Sequence, residues 1–117
     1  MIKNITFLGF SNQDEQILLF RKISRAYEID SIQITDLVYS CDRVLTIKFK
    51  TNDNCYVLQS PNTVVHTICA NFKIEEFVKP SIEFDENNNI INITMLFNRV
   101  EKMCFQVNEV LVIKIKS

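Results

Sequence analysis

The feature that most constrains the fold of this chain is the alternation of apolar and polar residues in several short segments. In "RVLTIKFK" the two kinds of residue take turns without a break, with Leu45, Ile47 and Phe49 on one side and Thr46, Lys48 and Lys50 on the other. A period of two puts these sets on opposite faces of a β-strand. The turn residues "TNDN" follow and "CYVLQ" returns, so we predict a β-hairpin over residues 43–59.

The last third of the chain has the same period and is predicted to consist almost entirely of strands. "SIEF" is followed by the turn-forming "DENNN", and then by three alternating segments, "IINITMLF", "MCFQV" and "VLVIKIK". In the last segment, Leu111, Ile113 and Ile115 are predicted to form an apolar face opposite Lys114 and Lys116. The connections are short, which favours antiparallel neighbours.

The N-terminal region predicts one strand and one helix. Ile2 to Leu8 has the character of a strand, and Gly9, the only glycine, lets the chain turn. Ser11 and Asp14 have the spacing of a capping box at the start of a helix. We predict a helix from Asn12 to about Tyr27, because apolar side chains recur there at intervals of three and four residues.

A second helix is predicted to begin at Ser60-Pro61, because proline suits the first helical position. Four apolar residues then recur at i, i+3, i+4 and i+7, which is the spacing of one helical face: Val65, Ile68, Cys69 and Phe72. This helix is expected to end near Asn71 or to continue toward Pro80, and "NFKIEEFV" also fits a short strand.

These elements predict one α+β domain that spans residues 1–117. A chain of this length buries about two-thirds of the surface that its unfolded form exposes, so it needs no disulfide to fold. The expected architecture is a single antiparallel sheet of about six or seven strands, packed on one face by two helices.

Charge and hydropathy narrow the classes of partner. Thirteen basic and fourteen acidic residues leave a net charge of -1, which argues against a nucleic-acid partner. The chain has neither an apolar run of the about 18 residues that span a bilayer nor the pattern of a secretory signal. We therefore expect a cytoplasmic protein without a membrane partner, whose four cysteines are free thiols.

His66 and Cys69 are the base and thiol that lie closest together in the sequence. At i and i+3 on a helix they could share a zinc ion, or act as base and nucleophile. No C-x-x-C or H-x3-5-H pair accompanies them, and helical phase places Cys69 toward the core and His66 toward solvent. We expect no metal, no cofactor and no catalytic residue, and keep His66 and Cys69 as an alternative site.

Acidic residues form the other candidate site. Glu83 and Asp85 are two apart in a predicted strand, Glu86 follows them, and Glu75-Glu76 lies upstream. The chain lacks the E-x-K, D-x-K and Q-x-K motifs that accompany acids in many nuclease sites. We interpret these acids as a surface that presents negative charge to a protein, and we add Tyr56 as an expected surface aromatic.

Without a catalytic signature, binding is the favoured activity. The leading hypothesis is a non-catalytic protein-binding module, most concretely a small intracellular immunity or inhibitor protein that occludes the active site of a toxin or other effector. The chain resembles small bacterial immunity proteins in size, charge and expected architecture, and shares no residue motif with them.

Three alternatives stay open. The first is a small enzyme or ligand-binding domain with a pocket near His66, because a lone histidine can act as a general base. The second is a viral or phage antagonist of a host factor. The third is a homo-oligomer that pairs through an exposed C-terminal strand, and the sequence leaves the choice between monomer and homodimer undecided.

Overall fold

The computed structural model describes residues 3–24, 33–52, 54–67, 77–97 and 102–115. Within these ranges the chain forms nine strands and one helix. In chain order they are β1 (Ile5–Leu8), α1 (Gln13–Ser24), β2 (Gln33–Tyr39), β3 (Leu45–Lys50), β4 (Cys55–Ser60), β5 (Val64–Thr67), β6 (Phe77–Phe84), β7 (Ile90–Phe97), β8 (Lys102–Gln106) and β9 (Val110–Ile115).

The strands form two sheets. Sheet A has five strands in the order β1-β9-β4-β3-β2, and sheet B has four in the order β5-β8-β7-β6. Strand β1 runs parallel to β9, and every other neighbouring pair is antiparallel. The prediction of an α+β fold with a single sheet and two helices is therefore wrong: the protein is mostly β, with two sheets and one short helix in the described residues.

Both sheets contribute inward side chains to one hydrophobic core. The core residues from the strands of sheet A include Leu45, Ile47, Phe49, Leu58, Val110 and Val112, and those from sheet B include Ile90, Ile93, Met95, Met103 and Phe105. The ring of Tyr39 on β2 lies 5.8 Å from that of Phe105 on β8, so the two sheets face each other. Each such side chain contributes about 1.5–3 kcal/mol on burial, which makes this shared core the main source of stability.

The hairpin prediction is confirmed, and the prediction of a second helix is wrong. β3 and β4 pair in antiparallel register from Leu45 opposite Ser60 to Lys50 opposite Cys55. After Ser60 the chain forms strand β5 instead of a helix. Four of the five residues in "TVVHT" are β-branched, and such side chains fit a strand better than a helix.

Pro61 belongs to a tight corner that takes the chain from sheet A to sheet B. Asn62 follows it with a φ of 53°, and a proline followed by a positive-φ residue matches the order in a type II turn. The Thr63 hydroxyl donates to the Ser60 carbonyl at 2.9 Å, and both of these residues are fully buried. Proline thus marks a turn here, where the sequence alone also fitted the start of a helix.

The N-cap of helix α1 lies one residue later than predicted. The Asn12 side chain accepts from the Glu15 N–H at 2.9 Å, and the Glu15 carboxylate accepts from the Ser11 N–H at 2.8 Å. The capping pair is therefore Asn12 with Glu15 instead of Ser11 with Asp14. Glu15 also forms an ion pair with Lys114 of β9, which ties the first turn of the helix to sheet A.

Gly9 makes the turn between β1 and α1, as predicted. Its φ is +82°, and a Cβ added there would lie 2.7 Å from the carbonyl oxygen of Lys114. Both the positive φ and the close approach to a neighbouring backbone require a residue without a side chain. The position explains why a chain with a single glycine has it here.

Asn4 joins the start of β1 to sheet B. Its side-chain nitrogen donates to the carbonyl oxygens of Ile90 and Asn108, each at 2.7 Å. Its side-chain oxygen accepts from the Ile90 N–H at 2.7 Å. All the amide hydrogens and the amide oxygen of this side chain are used, so Asn4 holds the two sheets together at one corner.

Candidate functional site

Strand β9 presents its larger aliphatic side chains to the outside of sheet A. Val110 and Val112 are buried, whereas Leu111 and Ile113 are half-buried and Ile115 is 44% exposed. Leu111, Ile113 and Ile115 do share a face, as predicted, but this face points away from the core. Strand β9 is not an exposed edge, because it lies between β1 and β4. A homo-oligomer therefore cannot form by edge pairing through this strand.

The pairing register extends this apolar surface across three strands. Ile113 lies between Leu8 of β1 and Val57 of β4. Leu111 and Ile115 flank Ile113 on β9, two residues away on either side. We call these five residues, Leu8, Val57, Leu111, Ile113 and Ile115, the aliphatic patch. With strands about 4.8 Å apart and residues about 3.4 Å apart, it covers about 10 Å by 13 Å of the sheet.

An open groove of about 460 Å³ lies at one end of the aliphatic patch. Leu111 belongs to both the patch and the groove, and Thr6 and Gln59, its neighbours in the sheet, also line the groove. Lys3 and Glu109 supply charge of opposite sign at its walls. The groove is in the size range of pockets that take a small molecule or a few side chains.

The outward face of sheet B is mostly polar, and it contains two of the predicted site residues. His66 Nε2 lies 2.8 Å from the side-chain oxygen of Gln106, and the Asn92 amide donates to the Glu83 carboxylate at 3.0 Å. Gln106 and Asn92 are opposite each other on β8 and β7. The structure thus brings His66 and Glu83, which the sequence placed in separate hypotheses, onto the same outward face of sheet B, where the neighbouring Gln106 and Asn92 lie between them.

The chemistry around His66 differs from that of the predicted reactive pair. His66 lies on strand β5, so the helical phase used to separate it from Cys69 does not apply, and Cys69 is outside the described residues. The side-chain partner of His66 is the amide of Gln106, which is uncharged. Cys104 shares this outward face, and its thiol accepts from the Thr94 hydroxyl at 3.6 Å.

We call Glu83, Asp85 and Glu86 the acidic turn, and one of its three carboxylates, that of Asp85, is hydrogen-bonded within the turn. Asp85 accepts from the backbone N–H groups of Asn87 and Asn89 at 2.8 and 2.9 Å. The hydrogen bond from the Asn89 backbone is the main reason that the pKa of Asp85 is lowered from its usual range. Asp85 therefore organises the turn, while Glu83 and Glu86 are exposed, and Glu75 and Glu76 lie outside the described residues.

Tyr56 is not a surface aromatic, contrary to the prediction. Its side chain is 5% exposed, and its ring stacks on those of Phe10 and Phe49 at 5.7 and 5.3 Å. The alternation of "CYVLQ" puts Tyr56 on the same face as Leu58, which is buried. A side chain in this position offers a partner very little area.

The described part of the chain forms neither a cluster of metal ligands nor a membrane-spanning helix. There, no three His, Cys, Asp or Glu side chains are grouped so that they could hold a metal ion. Helix α1, with 12 residues, is too short to cross a bilayer.

Comparison with protein-family models, curated proteins and solved structures finds no match to this chain. The aliphatic patch was missed in the sequence because alternation shows which residues share a face, and not which face is inward. One signal was present: "VLVI" is apolar without interruption, which is typical of strands that are shielded on both faces.

Proposed function

We propose that the protein is a non-catalytic protein-binding module that contacts its partner through the aliphatic patch. The observation that supports this most directly is the uninterrupted apolar run of β9, whose outward residues Leu111 and Ile113 have no covering element among the described strands and helix. In the most concrete form of the proposal, the protein is an immunity or inhibitor protein that works in the cytoplasm by occluding a toxin or other effector.

A contiguous apolar patch on a sheet surface favours protein contact over other uses. Scattered single aliphatic residues are ordinary on protein surfaces, but adjacent ones on three strands leave water against a continuous apolar area. Covering that area is favourable by about 25 cal/mol for each Å² of apolar surface removed from water. The adjoining groove supplies a recess for a partner side chain, which is the usual setting of an interface hot spot.

The acidic turn supplies a second candidate contact surface for the same function. Glu83 and Glu86 are exposed and present negative charge that a basic surface of a protein partner could contact. Asp85 is less suited to this role because its carboxylate is bonded within the turn. The enzyme alternative rests on His66, whose side-chain partner among the described residues is the uncharged amide of Gln106.

The test compares two exposed aliphatic residues on opposite sheets. Ile115 in the aliphatic patch and Val64 on the outward face of sheet B are each 44% exposed. A partner captured from the native cell by the wild-type chain is purified and titrated by calorimetry. Ile115→Lys is expected to weaken binding about tenfold or more, and Val64→Lys to leave it unchanged. Equal affinities for wild type and Ile115→Lys would exclude the patch as the contact surface.

The native cysteines give an independent readout without mutation. Cys55 is exposed and lies next to Ile115 in the register, whereas Cys104 lies on the outward face of sheet B. Alkylation followed by peptide mass mapping should show Cys55 protected by the partner and Cys104 unaffected. If His66→Ala abolishes biological activity and the folded chain acts without a protein partner, the enzyme alternative replaces this proposal.

A further inference from the structure

The aliphatic patch is bordered on one side by two lysines. Lys48 lies opposite Val57, and Lys50 lies opposite Cys55, so both occupy the same rows of the sheet as the patch and point outward. Both are exposed. They are two residues apart on β3, which sets their Cα atoms about 7 Å from each other.

These two ammonium groups are not neutralised by ion pairs in the part of the chain that the structure describes. The ion pair found there is Lys114 with Glu15, on the other side of sheet A. Asp36 lies opposite Lys48 in the register, but its carboxylate accepts from the Leu37 N–H at 2.9 Å. We call Lys48 and Lys50 the lysine edge. Even if Asp36 offsets one of their charges, the lysine edge keeps at least one net positive charge available to a partner.

We infer that the partner covers the aliphatic patch with an apolar surface edged by carboxylates, which would lie over Lys48 and Lys50. This inference rests on the proposed function, because it specifies the chemistry of the partner at the same site. Carboxylates at that edge would steer the encounter and fix its orientation, while the aliphatic contacts would supply most of the affinity.

A second copy of the chain fits this surface less well. Packing the patch against itself brings two lysine edges to one interface, and Asp36 is the one carboxylate in the rows that the register defines. An anionic membrane is also a weaker fit, since two lysines near it contribute only about 1 kcal/mol each. An acidic-edged protein surface satisfies both the apolar area and the charge.

The experiment selects short random peptides displayed on phage against the immobilised wild-type protein. Selected peptides are expected to combine aliphatic residues with Asp or Glu. Lys48→Glu/Lys50→Glu should weaken their binding about tenfold or more and remove most of its salt dependence. Lys48→Arg/Lys50→Arg should retain it. Lys102→Glu, an exposed position on the outward face of sheet B, is the matched control and should have no effect.

The outcomes separate the two proposals. If Ile115→Lys abolishes peptide binding but the lysine reversal leaves it intact, the patch is the binding surface and the acidic edge is wrong. Selected peptides that bind Ile115→Lys as well as wild type would overturn both proposals. A dimer in light scattering that Ile115→Lys dissociates would assign the patch to a second copy. Binding to phosphatidylcholine vesicles only when they contain phosphatidylserine, lost in Ile115→Lys, would assign it to a membrane.

Discussion

The outward faces of the two sheets differ in how they meet solvent. On the outward face of sheet B, the polar side chains bond to one another in pairs, His66 with Gln106 and Asn92 with Glu83. The outward face of sheet A carries the aliphatic patch instead. Paired polar side chains need no covering, whereas an aliphatic patch leaves apolar surface in water, and this difference favours sheet A as the proposed contact surface.

Strands β8 and β9 show the same difference at the level of sequence. In β8, buried Met103 and Phe105 alternate with Lys102 and Gln106, so one face is polar and faces solvent. In β9, both faces are apolar over "VLVI", and burial alone separates them. The sequence of a strand therefore identifies the inward face when one face is polar, as in β8, but not when both faces are apolar, as in β9.

The largest expected effect tests which face of β9 is inward. Val112→Lys puts a charge at a position that is 1% exposed, whereas Ile113→Lys, the next residue, points outward. We expect Val112→Lys to lose about 4 kcal/mol or more of the free energy of unfolding, or to prevent folding. Ile113→Lys should lose about 1 kcal/mol or less. Urea denaturation followed by circular dichroism measures both, and the reverse order would invert the assignment of faces.

The next effect concerns the join between the sheets. Asn4→Asp keeps the shape of the side chain but replaces the two donors that face the carbonyls of Ile90 and Asn108. We expect a loss of about 2–3 kcal/mol, since those carbonyls lose their partners and face a charge. Asn92→Asp, on the outward face of sheet B, is the control and should lose less than about 1 kcal/mol. Equal losses in the two variants would mean that Asn4 does not join the sheets.

A smaller effect is expected in how the free energy of unfolding falls at acidic pH. The hydrogen bond from Lys114 holds the pKa of Glu15 below its usual range, and backbone N–H bonds do the same for Asp85. Because the unfolded chain binds protons first, both contributions are complete above the ordinary values of about 4.3 and 3.9. They are lost as pH falls through the lower folded values. Thermal melting from pH 6 to about pH 2 should show a shallower decline in Glu15→Gln and Asp85→Asn; an unchanged decline would contradict these shifts.

The smallest effect is expected for His66→Ala. It removes one exposed hydrogen bond to Gln106, so the free energy of unfolding should change by about 0.5 kcal/mol or less. Partner binding should also be unchanged, as calorimetry can show. Loss of binding in a folded His66→Ala protein would move the contact surface from sheet A to sheet B.

The sequence predicted the local elements better than their arrangement. The hairpin of β3 and β4 was predicted because strand period and turn residues are local properties. The corner at Pro61 was not, since proline suits both a turn and a helix start, and the choice depends on the bonds of Thr63 and Ser60 to distant residues, among them Tyr39 and Glu109. The division into two sheets depends on the same corner, which no short-range pattern specifies.

The candidate site shows a similar limit. His66 and Glu83 were singled out by residue type, yet only the pairing of four strands places them on the same face of sheet B. Tyr56 was assigned to the surface, although its strand mate Leu58 already indicated the inward face. The aliphatic patch was missed because its residues, from β1, β4 and β9, are separated by most of the chain.

The position of β9 has a consequence for synthesis of the protein. It is the last of the described strands, yet it lies between β1 and β4, which do not pair with each other in sheet A. On the ribosome the hairpin of β3 and β4 can form early, but β1 has no strand to join until residues 110–115 emerge. Until then one edge of β4 is open to pairing with other chains, so the nascent protein passes through a stage at risk of aggregation.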